Sequence, residues 1–425
     1  MEARMRNKWI LLKKVEQNLA FFALSKGVAF LAPIFFLKFV TLEEYGVVEF
    51  SYAFGSVTAV VASLGLAGAY PYFILKREEH EKRQAFLFYG VPVLILSVVV
   101  CLLRWCGVFQ VQVSMILLFT LIFALQRIYS AMLKSEGKGY LGVLVDGGYY
   151  FILTAAILIV WPLHLTNAVS LLEGMMQVYL LALGVFYLWQ FLQVRTKSVR
   201  AIIHEDCGEI LRFSVHLIIS GIVIYWLTSS ARIYIKYFLG YEQVGVYSLY
   251  YRFAGISVII YLFLYIAFFQ KLYMAESRKM DLYYLAVMGL VLGGCLACFL
   301  FAPLLSRFFF GGTNVENIRL FLLLILQMPL WVGISLCEGV VSRENMVRQM
   351  NIRIGALVLI FPVVLFLIRH YLSLELFALV NGIFFALAFG SQMLLLRRKG
   401  IVLRKCAWFA SALLIGLVVV YYIGC

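Results

Sequence analysis

Apolar residues fall in long unbroken runs, not in the alternation of a strand or the narrow stripe of a surface helix. A run of about 18–20 apolar residues crosses a hydrocarbon core of roughly 30 Å as a helix. In lipid, backbone amides must be bonded within their own segment or in a closed barrel. Barrel strands alternate with a period of two, and these runs do not. The pattern predicts spanning helices over 18–40, 46–75, 85–103, 113–133, 141–161, 169–193, 212–237, 245–270, 283–305, 318–341, 354–370 and 375–396. A thirteenth apolar run covers 407–425.

The connecting loops alternate in charge. One set comprises the N-terminal cluster Arg4, Arg6, Lys8, Lys13 and Lys14 and the loops around Lys76, Lys134, Arg195, Lys271, Arg343 and Arg397; it holds 25 cations. The opposite loops hold Arg104 and Arg307. Basic loops stay in the cytoplasm. The N-terminus is therefore expected in the cytoplasm, and Cys425 on the far side. The first run is too long for a signal-peptide core and lacks a small-residue cleavage site, so no cleavage is expected.

Composition agrees: 64% hydrophobic and 13% charged, against about 45–50% and about 25% in soluble domains. The net charge of +15 reads as topology and anionic-lipid contact, not as a nucleic-acid surface. The eight cysteines show no disulfide framework. Cys295 and Cys298 form a C-x-x-C inside the ninth run, where packing is the expected role rather than metal binding. Gly311 and Gly312 read as a turn. No metal triad, activated nucleophile or phosphate-cradling loop is present in the pattern, so neither enzyme activity nor a cofactor is expected.

The chain repeats itself. Lys38 to Val57 reads KFVTLEEYGVVEFSYAFGSV, and Lys236 to Ile256 reads KYFLGYEQVGVYSLYYRFAGI. Aligned on glycine, Glu43 meets Glu242, Gly46 meets Gly245, Val47 meets Val246, Tyr52 meets Tyr251 and Phe54 meets Phe253; Lys38 meets Lys236 with one gap. The copies lie six spans apart, so both halves have the same orientation. Parallel six-helix repeats are a transporter architecture. The expected fold is all-α and polytopic, with two parallel six-helix bundles around a central cleft. The lobes are expected at 1–200 and 201–400, with an additional transmembrane helix in 401–425.

The stretch Thr41-Leu42-Glu43-Glu44-Tyr45-Gly46, followed by Ser63-Leu64-Gly65-Leu66, resembles the opening of the polysaccharide exporter family, which includes O-antigen and lipid-linked oligosaccharide flippases. Leu239 to Ser248, LGYEQVGVYS, resembles that family's segment at the start of the second half. The family's usual proline after the eighth span is absent from Ala267-Phe268-Phe269-Gln270-Lys271. The resemblance implies the fold of the multidrug/oligosaccharidyl-lipid/polysaccharide exporter superfamily. It also implies a cargo of sugar on a polyprenyl diphosphate, and pathway partners such as a polymerase.

Ionisable groups inside spans are costly and mark function. Lys38, Arg212, Lys236, Arg319 and Arg369 sit near span ends and can snorkel. Lys26 and Arg252 lie roughly 10–12 Å inside at 1.5 Å per residue, and Arg127 and Arg232 are shallower. These four are the candidate substrate contacts, since guanidinium and ammonium groups suit a diphosphate; the alternative is ion pairing between helices. Acids within spans are Glu49, Asp146, Glu173 and Glu338. Asp146 and Glu338 are candidates for coupling to a cation, with Arg127 or Lys26 as the alternative salt-bridge partner of Asp146. Asp146 opens Asp146-Gly147-Gly148, whose glycines permit close helix approach. His216 reads as packing. The rings of Tyr247 and Tyr251 could stack on sugars or form an interface belt. Four readings remain: a structural scaffold, which would not account for buried charges in both halves, a flippase for a lipid-linked oligosaccharide, a cation-coupled multidrug exporter, and a membrane polymerase or ligase. Outer loops of no more than about a dozen residues argue against the last. Mostly cationic deep charges favour an anionic cargo.

Overall fold

The computed structural model describes residues 20–163, 166–194, 198–301, 317–344 and 346–423. The cluster Arg4 to Lys14, the loop cations Arg195, Lys197 and Arg307, the Gly311–Gly312 turn and Cys425 lie outside the described residues, as do the side chains of His216 and Lys271.

Among the described residues all regular structure is helical. Among the described residues eleven helices are long and apolar enough to cross a membrane, and up to 13 spans result if each bent pair is one span. The chain is a multi-pass membrane protein. In order the helices are α1 (Ala20–Phe39), α2 (Leu42–Ala62), α3 (Leu66–Pro71), α4 (His80–Trp105), α5 (Val111–Ser135), α6 (Gly139–Asp146), α7 (Gly148–Leu163) and α8 (Ala168–Gln193). There follow α9 (Gly208–Ser229), α10 (Ala231–Leu239), α11 (Tyr241–Met274), α12 (Ser277–Leu300), α13 (Ile318–Arg343), α14 (Val347–Leu367), α15 (Leu374–Arg397) and α16 (Arg404–Ile423).

Three predicted spans are broken. The run 46–75 stops at Ser63, where Leu64 and Gly65 take φ of 51° and 68°. A side chain at Gly65 would meet the Ser214 carbonyl at 2.6 Å, so the break is where α2 meets α9. The run 141–161 is two helices bent by 54° at Gly147. There Ser25 of α1 presses against the glycine, and Tyr179 and Gln126 press against Gly148. The run 212–237 ends at Ser229, and Arg232 stands on the separate helix α10. The run 245–270 continues to Met274, with a kink at Phe268.

Contacts divide the chain into two compact units. One holds the residues up to Thr41 and Ser51–Ile222; the other holds Leu42–Phe50 and the residues from Val223 onward. In the first unit α5 is largely enclosed, and Tyr187 of α8 donates to its Leu125 carbonyl at 2.7 Å. Gly90 and Gly184 let α4 and α8 close up against Tyr187 and Leu94. An ionic network stands at the end of this unit where the basic loops lie. Arg77 and Lys82 both bind Glu209, Lys82 also binds Glu79 at 2.7 Å, and Arg83 binds Glu136 at 3.1 Å.

In the second unit α13 is central and packs along α15. Their polar seam is satisfied internally: Asn381 donates to Gln327 at 2.9 Å, and Gln327 donates to the Ala378 carbonyl at 2.9 Å. The thirteenth apolar run forms α16, whose first free amides are held by α12. Asp281 accepts from the backbone of Lys405 at 2.9 Å and of Cys406 at 3.0 Å. A carboxylate there satisfies orphan donors and meets the positive end of the helix dipole. The two repeat copies also touch here. A side chain at Gly46 would strike the Tyr241 carbonyl, and one at Gly245 would strike the Leu42 carbonyl. Leu42 and Tyr241 each lie four residues before their glycine, so the contact is reciprocal.

Candidate functional site

The first turns of α2, with α10 and α11, build a charged cluster in the second unit. Tyr45 and Glu49 lie on one face of α2 at helical spacing. Ser248 and Arg252 do the same on α11, and α10 contributes Arg232. Glu49, with a side chain 3% exposed, faces both arginines, which are 9% and 11% exposed. Arg252 Nε donates to Glu49 Oε1 at 3.0 Å and to the Tyr45 hydroxyl at 3.1 Å, and its Nη2 also binds Glu49. Arg232 Nε stands 3.1 Å from Glu49 Oε2. Its well-aligned hydrogen bond goes to Ser248 Oγ at 2.8 Å, and its guanidinium lies 5.1 Å from the Tyr251 ring centre. Two cations thus share one carboxylate, leaving an excess positive charge. Lys236, 5.6 Å from the Phe50 ring and 5.4 Å from the Tyr241 ring, adds another.

The remaining candidates do not join this cluster. In the first unit Lys26 lies half-buried on α1, its ammonium 5.8 Å from the Phe22 ring and within the fields of Asp146 and Lys134. Arg127 of α5 donates to the Ser56 carbonyl at 2.8 Å. The Asp146 ion pair is to Lys134 at 2.6 Å, not to Arg127 or Lys26. The physical reason is the bend at Gly147, which leaves Asp146 at the last position of α6, beside the last turn of α5. Glu338 of α13 is half-buried beside Tyr261 and, among the described residues, has no hydrogen bond or ion pair. Glu173 is claimed by Arg104 through contacts of 2.7 and 3.2 Å.

Glu49 was visible only as one of several acids, and Tyr45 and Ser248 were not singled out as its neighbours. One signal was available. In the repeat register Glu49 aligns with Ser248, and both lie against Arg232. The described residues contain no cluster suited to a metal ion. Cys295 instead contacts Ser257 Oγ at 2.7 Å.

No protein-family profile matches the chain, and no curated protein matches it. Solved structures do. An inward-facing multidrug resistance MATE family transporter of the MOP superfamily is 17% identical over 93% of this chain and 98% of its own, with a TM-score of 0.55. An outward-facing one is 18% identical over 94% and 96%, with a TM-score of 0.53. A MATE in complex with MaL6 is 15% identical over 94% and 96%, with a TM-score of 0.51. At these identities the likeness is one of fold, and it extends over nearly the whole chain.

Proposed function

We propose that the chain is an alternating-access exporter of an anionic, lipid-linked cargo. The cargo class is a polyprenyl-diphosphate-linked oligosaccharide, used to build a surface polysaccharide such as O-antigen or capsule. The supporting observation is the cluster in which Arg232 and Arg252 share Glu49. A diphosphate crossing a membrane sheds hydration, and guanidinium groups replace those bonds two oxygens at a time. Lys26 and Arg127 are proposed as further cargo contacts. Asp146 and Glu338 are proposed as coupling acids, with Glu338 the better placed because Lys134 already neutralises Asp146.

The fold likeness favours a second reading, a cation-coupled multidrug exporter. That cargo is cationic and needs acid excess, whereas the charged cluster carries cation excess. One experiment separates the two. Deleting the gene should abolish surface polysaccharide and leave susceptibility to lipophilic cationic drugs unchanged. Restoring the wild-type gene should recover the polysaccharide; restoring Arg252→Ala at equal membrane abundance should not. Normal polysaccharide with raised drug susceptibility would establish the second reading instead.

A further inference from the structure

A groove of about 540 Å³ runs between α1 and α7, wholly within the first unit. Val28, Ala32 and Phe35 line it from α1, and Ile157 and Trp161 from α7, with Lys38 at one end. The α1 positions recur at helical spacing along one face. From Val28 to Lys38 the face extends roughly 15 Å at 1.5 Å per residue. That is half of a hydrocarbon core of roughly 30 Å, the depth of one leaflet. The turn carrying Lys38 packs against α7, so the lysine and Trp161 stand at the same end of the groove. Trp161 is 64% exposed and Leu158 62%, so the groove opens at the surface of the protein. Lysine and tryptophan together are what a membrane interface carries. The groove thus matches a lipid in length, in apolar lining and in the placement of its charge.

We infer that this groove holds one acyl chain of an anionic phospholipid of the surrounding bilayer, with the phosphate at Lys38. A zwitterionic lipid could fill the apolar part but would gain little from the lysine, because its own cation competes for the phosphate. The site is independent of the cargo proposed above.

Trp161 is the reporter. The full-length protein is placed in nanodiscs with brominated phosphatidylglycerol or brominated phosphatidylcholine, and quenching in the wild type is compared with that in Trp161→Phe to isolate this residue. Phosphatidylglycerol should quench Trp161 at several-fold lower mole fraction than phosphatidylcholine. Lys38→Gln should bring the two lipids together, while Lys38→Arg should keep them apart. Ala32→Phe, which fills the groove, should weaken quenching by both. Equal quenching by the two lipids in the wild type would mean ordinary annular contact and would overturn the inference. So would a preference that survives Lys38→Gln. Displacement of brominated phosphatidylglycerol by a polyprenyl phosphate at far lower mole fraction than unlabelled phosphatidylglycerol requires would assign the groove to a carrier lipid, and would equally overturn it.

Discussion

At the scale of single residues, the second unit's cluster turns on one carboxylate. A cation at the centre of a membrane helix costs about 2.5–3.5 kcal/mol on the insertion scale, and breaking a buried pair costs about 3–5 kcal/mol. Removing Glu49 takes the shared carboxylate from two guanidiniums, whereas removing either arginine leaves Glu49 a cationic partner. The partners are not equal. Arg252 binds the carboxylate through two nitrogens and Tyr45 as well, while the aligned bond of Arg232 goes to Ser248. Thermal midpoints in detergent should therefore fall most for Glu49→Ala, less for Arg252→Ala and least for Arg232→Ala. An Arg232→Ala protein less stable than Glu49→Ala would show that Glu49 is not the shared partner. The sequence marked the charges as candidates because they lie inside apolar runs, but it could not pair them. Glu49 and Arg252 are 203 positions apart, and their meeting depends on how α2 and α11 cross.

The crossing of α2 and α11 belongs to the scale of elements. Gly46 and Gly245 approach each other's helix through backbone carbonyls, which cannot swing aside as a side-chain tip can. Gly46→Ala and Gly245→Ala should each lower stability by about 1–3 kcal/mol, the usual range for overpacking. Gly255, on the same α11 helix, has open space around it. Gly255→Ala should be neutral or stabilising, by about 0.5–1 kcal/mol of helix propensity. Thermal unfolding of the three variants checks this, and equal losses at all three glycines would remove the close-approach argument. A second contact between elements is equally specific. Asp281→Ala should loosen α16 by about 0.5–2 kcal/mol, as for lost helix caps, read as faster amide exchange over 404–410 than in the wild type. Unchanged exchange there would mean that apolar packing alone holds α16. Apolar run length made the helices legible. It did not reveal their breaks, because Gly65, Gly147 and Ser230 interrupt apolar sequence without interrupting its hydrophobicity. At the two glycines the chain packs closely on Ser214 and Ser25, and that is tertiary information.

At the scale of the whole molecule, the strongest sequence signal is the charge asymmetry of the loops, and it predicts an orientation that can be measured. Helices in series alternate direction, so the loop after α4 and the loop before α9 face opposite sides of the bilayer. The first follows Arg104, one of the two cations in its set of loops; the second belongs to the basic set. Basic loops near spans resist translocation, so the basic side should be cytoplasmic. Two cysteines report on this. Cys106 is exposed just beyond α4, and Cys207 is half-buried just before α9. With every other cysteine replaced by serine or alanine, Cys106 should react with a membrane-impermeant maleimide in intact cells whose outer envelope admits the reagent. Cys207 should react only after the cytoplasmic membrane is opened. The reverse pattern would invert the orientation and, with it, the direction of export. If both react in intact cells, an odd number of spans between them is wrong, and the bent pair α6–α7 must then be re-entrant rather than a single crossing. That outcome would matter for mechanism, because Lys26, Lys134 and Asp146 all lie around that bend. A re-entrant α6–α7 would return Asp146 to the surface from which that segment started, and would leave Glu338 as the one proposed coupling acid within the depth of the bilayer.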